Sequence, residues 1–81
     1  MSKDAIAALR LMEHGQEFAY ERGVGYIGHV RVKKATRILA ELVHAMAVRR
    51  VPTEGCETEY YRIGHEGRAA LHENIGRLGD G

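Results

Sequence analysis

From Arg31 to Met46 the chain carries one apolar stripe at helical spacing, and that stripe dictates what the rest of the molecule must cover. Ala35, Ile38, Leu39, Leu42, Val43 and Met46 recur at i, i+3, i+4, i+7, i+8 and i+11. A helix from Val30 or Arg31 to Met46 gathers them on one face. Lys33, Arg37, Glu41 and His44 project from the opposite face, with Lys34 beside them. A charged outer face is ordinary for a surface helix. Its placement here is less so, because Arg31, Lys33, Lys34 and Arg37 lie toward the N-terminal end, where positive charge opposes the helix dipole. A polyanionic partner gives such charge a use.

The flanks are punctuated. Ser2 to His14 reads as a helix, with Ser2 as cap, Asp4 in the first turn, Ile6, Leu9 and Met12 or Glu13 at helical spacing, and Gly15 just beyond. In Gln16 to His29, Phe18 and Tyr20 read as a short extended piece. Gly23, Gly25 and Gly28 then interrupt Val24, Tyr26 and Ile27. Glycines cost roughly 1 kcal/mol each inside a helix, so that stretch is either a short helix at about Val24 to Gly28 or a loop. Ala47 to Val51 reads as a strand, Pro52 to Gly55 as a turn, and Glu57 to Ile63 as a second strand with Tyr61 and Ile63 on one face and Tyr60 and Arg62 on the other. A last helix is expected from His65 to about Arg77, with Ala69, Leu71 or Ala70, and Ile75 as core positions, before a frayed Gly79-Asp80-Gly81.

At 81 residues the expectation is one domain with its core at about residues 3 to 77. Such a domain buries only about 60–65% of its extended-chain surface, which makes dimerisation a reasonable support. No apolar run is long enough to span a bilayer, the N-terminus carries no hydrophobic segment, and Cys56 is the only cysteine. These features fit a cytoplasmic protein without a disulfide. Net charge is only +1, but it is unevenly spread. Arg31, Lys33, Lys34, Arg37, Arg49 and Arg50 face the single carboxylate of Glu41 between residues 31 and 50. Glu54, Glu57, Glu59 and Glu66 face only Arg62 between residues 51 and 67. A local basic patch is what phosphate contact requires.

Enzymatic and metal chemistry find little to work with. His14, His29, His44, His65 and His72 show no i, i+4 ligand spacing, and a structural zinc site needs four ligands. Glu54 and Glu57 flank Cys56, the wrong charge for a reactive thiolate. Gly23-Val24-Gly25-Tyr26-Ile27-Gly28 matches a GxGxxG spacing but lacks the preceding strand and room for a βαβ unit. No enzyme activity, cofactor or metal is expected.

Three stretches, in order, resemble winged helix-turn-helix domains of MarR-like and related small bacterial or phage regulators. Leu11-Met12-Glu13-His14-Gly15 resembles the end of their first helix. Arg31 to Val51 resembles the recognition helix running into the first wing strand. Tyr61-Arg62-Ile63-Gly64-His65-Glu66-Gly67-Arg68-Ala69-Ala70-Leu71 is similar to the family's Tyr-x-Leu-Thr-x-x-Gly-Arg-x-x-Leu close. The resemblance covers roughly Ala5 to Glu73. It implies an α+β winged helix-turn-helix fold of three or four helices with a two- or three-stranded hairpin wing. It also implies a homodimeric transcriptional regulator binding double-stranded DNA sequence-specifically, with helix 31–46 in the major groove. On that reading Arg31 and Arg37 read bases, Lys33, Lys34 and Thr36 hold phosphates, and Arg49, Arg50 and Arg62 bring the wing to the backbone. The alternative is a winged helix used for protein contact, binding a host regulator or polymerase; the acidic Glu54 and Glu57 at the wing tip favour it.

Overall fold

A computed structural model describes the backbone of residues 1–80 and the side chains of residues 1–73. Helix α1 spans Lys3–Met12, and the Ser2 hydroxyl accepts from the Ala5 amide at 3.2 Å, satisfying one of the free N–H groups of its first turn. Ala5, Ile6, Ala8, Leu9 and Met12 form its buried face.

The glycine-rich stretch is neither helix nor loop. It forms three strands, β1 (Phe18–Glu21), β2 (Val24–Ile27) and β3 (Val30–Val32), joined by two-residue turns. Arg22 and Gly23 both adopt positive φ, 48° and 84°, as a type I′ turn demands. At the next turn Gly28 has φ 61°, as the first central residue of a type II′ turn does. Both turn types match the twist of paired strands. Gly25 allows close approach instead: a Cβ there would stand 2.7 Å from both the Ala35 Cβ and the Phe18 ring.

Helix α2 is therefore shorter than the apolar stripe suggests, spanning Ala35–His44. Val30 and Val32 belong to β3, and Lys34 sits at the N-cap in the left-handed region, φ 55° and ψ 42°, with no side-chain cap. At the other end the Met46 amide donates to the Val43 carbonyl and the Ala47 amide to the Leu42 carbonyl, at 3.0 and 2.9 Å, with Met46 at φ 58°. This is a Schellman closure with methionine where glycine is usual. Strands β4 (Val48–Val51) and β5 (Glu59–Ile63) form the expected hairpin, and α3 runs His65–Asp80, past the frayed end expected at Gly79. Leu71 is fully buried, whereas Ala69 is exposed; Ile75 and Gly81 lie outside the residues so described.

The winged helix-turn-helix expectation is overturned by the pairing. The five strands make one antiparallel sheet, ordered β3-β2-β1-β5-β4. The expected wing is not a free hairpin: β5 pairs with β1, Phe18 opposite Tyr61, Ala19 opposite Tyr60 and Tyr20 opposite Glu59. A three-stranded meander occupies the place where a helix-turn-helix has its second helix. The physical reason is burial. Directly opposed residues share a face, and Phe18, Ile27, Tyr61 and Val48 all turn to the side where α1, α2 and α3 pack, giving one core with Leu9, Met12, Leu42 and Leu71. A detached two-stranded hairpin would leave that apolar side in water.

Candidate nucleic-acid interface

The fold divides the predicted contact residues. Arg31, Lys33, Lys34 and Arg37 meet at the corner where β3 turns into α2, and all four are exposed. Only Arg37 lies within the helix. Arg31 is on β3 opposite Tyr26, and Lys33 and Lys34 form the turn. None makes an ion pair among the described residues, although the chain pairs Arg62 with Glu17 at 2.8 Å and Arg22 with Glu57 at 3.4 Å. The first turn of α2 contains no acidic residue.

Thr36, expected to hold phosphate, shares a 2.7 Å hydrogen bond with the Tyr20 hydroxyl and ties α2 to β1 instead. Arg49, Arg50 and Arg62 lie at the far side of the sheet. The separation from β3 to β4 is four strand spacings, about 19 Å. Arg49 faces Arg62 directly across the β4–β5 ladder, while its neighbour Arg50 faces Tyr61 on the other side of the sheet. Arg49 and Arg50 therefore do not share a surface, and Arg62 is already held by Glu17. Seven of the eight residues are thus a cationic corner of four plus three scattered arginines, and the eighth, Thr36, is bonded to β1; they do not form one helix and one wing.

Two other groups are held by local contacts. Glu41, half-buried on α2, accepts from the Ser2 amide at 2.7 Å. That bond is the main reason its carboxyl lies below the ordinary glutamate range; burial opposes the shift, while the Ser2 side chain, the chain's amino terminus and Arg37 add to it. The Tyr61 hydroxyl donates to Glu59 at 2.6 Å. Burial, then the Glu59 hydrogen bond and charge, push its pKa up to about 12.

Sequence reasoning missed Tyr26 and Tyr60 as a surface pair. Both stand on the sheet face turned away from the helices, with only Ala19 between them. The alternation of Tyr60 with Tyr61 carries part of that signal; the pairing of β1 with β5 carries the rest. It also missed a groove of about 320 Å³ between α1 and β3, lined by apolar Ala7, Ala8, Leu11, Val30, Val32 and Ile38 together with Asp4, Arg31, Lys33 and Lys34. Among the described residues no cluster of three or more His, Cys, Asp or Glu side chains could hold a metal, and no helix is long and apolar enough to cross a membrane. Comparisons with protein-family models, curated proteins and solved structures give no match to this chain.

Proposed function

We propose that the chain is a DNA-binding protein that grips double-stranded DNA at the β3–α2 corner. The observation that supports this most is the gathering of Arg31, Lys33, Lys34 and Arg37, four exposed cations without an ion-pair partner among the described residues. Lys33 and Lys34 hold phosphates. Arg37, on the outer side of α2 with Ala40 and His44 one and two turns on, points into the major groove. A helix needs no helix-turn-helix around it to enter the groove; it needs an exposed side and cations beside the backbone. The biological role on this reading is that of a small bacterial or phage transcriptional regulator in the cytoplasm, working as a homodimer that doubles a modest contact area.

The test is a salt titration of binding to a duplex. Phosphate contacts by Lys33 and Lys34 give a log–log slope of about −2. Lys33→Glu combined with Arg37→Glu removes binding and leaves the circular dichroism spectrum unchanged, because both side chains are exposed. A flat salt dependence, or binding that survives the double variant, defeats the reading.

One observation favours a second reading, protein contact: the apolar groove beside β3 and the 39% and 46% exposure of Leu11 and Val30 on it. A protein retained from nuclease-treated extract by the wild type but not by Leu11→Asp supports it.

A further inference from the structure

The sheet face opposite the helices carries a row of residues unlike a solvated surface. Arg31 on β3, Tyr26 on β2, Ala19 on β1, Tyr60 on β5 and Val51 on β4 stand each directly opposite the next. Tyr26 is 43% exposed. The methyl group of Ala19 is all that stands between the tyrosines across two strand spacings, about 9.5 Å, so neither ring is walled in from that side.

The charge on this face is equally specific. The carboxylates on or beside it are engaged: Glu17 by Arg62, Glu21 by the Thr58 hydroxyl and Glu57 by Arg22. Among the described residues Arg31 on β3 and Arg49 on β4, at the two edges of the face, make no ion pair; Glu21, bonded only to a neutral hydroxyl, keeps its negative charge at the end of β1. Arg49 also stands directly opposite Arg62. Like charges so placed destabilise a sheet, and Glu17 bonds only Arg62. The Glu17 carboxylate offsets part of that repulsion through Arg62, and a polyanion lying along the face relieves the rest.

We propose that the open sheet face binds single-stranded DNA, with bases stacked on Tyr26 and Tyr60 and phosphates met by Arg31 and Arg49. Tyr26 is exposed and Tyr60 half-buried; aromatic rings flanked by guanidinium groups are how sequence-tolerant single-strand sites work, since every base has a face to stack. A single RNA strand offers the same stacking faces and phosphates, and differs by a 2′-hydroxyl, so the experiment compares the two. Arg31 belongs to both sites, but Tyr26, Tyr60 and Arg49 have no part in the duplex grip and Lys33, Lys34 and Arg37 have none in the single-strand row, so variants at those six positions test the two readings separately.

The experiment uses the full chain and a labelled oligo(dT) about 15 nucleotides long, the upper end of a single-domain footprint. The chain has no tryptophan, so its intrinsic fluorescence reports on tyrosine, and stacking quenches it as oligo(dT) binds. Tyr26→Ala and Tyr60→Ala each weaken binding about 10-fold or more, the Phe variants keep it, and Arg49→Glu weakens it. Lys33→Glu with Arg37→Glu leaves it within a few-fold. No binding at low salt, binding without quenching, or Phe variants as weak as Ala variants overturns the proposal; the wild-type quench and Arg49→Glu decide it even where an alanine variant fails to fold. Tighter binding of oligo(rU) overturns the choice of DNA. A concentration-dependent dimer in sedimentation that Tyr26→Ala dissolves assigns the face to a second copy instead.

Discussion

Phe18 stands directly opposite Tyr61 in the pairing of β1 with β5, and both side chains are buried on the helix side of the sheet. The pair is the buried part of the β1–β5 junction, which joins the N-terminal meander to the C-terminal hairpin; without that junction the molecule would fall into two small β units unable to bury their apolar sides. Phe18→Ala removes a fully buried ring, a change that costs about 3–5 kcal/mol. A chain of this length has roughly 4–12 kcal/mol in all, so most of the stability should go. Urea unfolding followed by circular dichroism measures it, and a loss below about 1 kcal/mol would mean that the pair does not hold the sheet together.

Met46 invites a gain. It occupies the glycine position of the Schellman closure at φ 58° and is 65% exposed, so its side chain contributes little packing. A left-handed conformation costs a non-glycine residue about 1–2 kcal/mol, while glycine's greater freedom in the unfolded chain takes back about 0.4–1 kcal/mol. Met46→Gly is expected to raise the thermal midpoint by a few degrees, and Met46→Ala, which keeps the strain, to leave it nearly unchanged. Equal effects of the two substitutions would count against strain as the cause.

The elements read correctly from the sequence are those whose signals are local. The Ser2 cap and Ile6/Leu9/Met12 spacing mark α1, and Pro52 and Gly55 mark the β4–β5 loop. The meander was hidden because its first turn uses Arg22-Gly23 in place of Asn-Gly, and because three-residue β3 runs almost directly into α2. Val32 lies three residues before Ala35, so it also fits a helical stripe. For the candidate site, the corner cations were legible because they are neighbours in sequence. The opposition of Arg49 and Arg62 and the Tyr26–Ala19–Tyr60 row depend on strand register, and the β1–β5 part of that register joins residues about forty positions apart.

Gly25 tests how closely α2 rides on the sheet. An added Cβ would meet the Ala35 Cβ and the Phe18 ring at 2.7 Å, and neither can move without shifting the core. Gly25→Ala is expected to cost about 1–3 kcal/mol. Adding Ala35→Gly removes one of the two clashes, so the double variant should be more stable than the sum of the separate losses predicts; simple additivity in a double-mutant cycle would show that the two positions do not touch.

Glu41 couples α1 to α2 in a pH-dependent way. Its carboxylate accepts from the Ser2 amide, and its pKa is depressed in the folded state. The unfolded chain therefore takes up the proton first as pH falls. The stabilisation is present in full above the ordinary value of 4.5 and is lost as pH drops through the depressed one. Glu41→Gln should be less stable than wild type at neutral pH, with the gap closing under acid; a gap independent of pH would point to packing rather than charge.

Tyr61 gives the opposite dependence at the alkaline end. Burial and the Glu59 carboxylate both disfavour the phenolate, raising the folded-state pKa from 10.0 to about 12. Unfolding releases the group to ionise at its ordinary value, so its contribution is complete below pH 10 and drains away as pH rises toward 12. Urea midpoints measured across that window should fall for the wild type. Tyr61→Phe retains the buried ring, loses about 1 kcal/mol for the missing hydrogen bond to Glu59, and flattens the part of the decline that belongs to this residue. An unchanged alkaline slope in Tyr61→Phe would place the proton release elsewhere and remove Tyr61 as the group whose burial makes the β1–β5 junction sensitive to base.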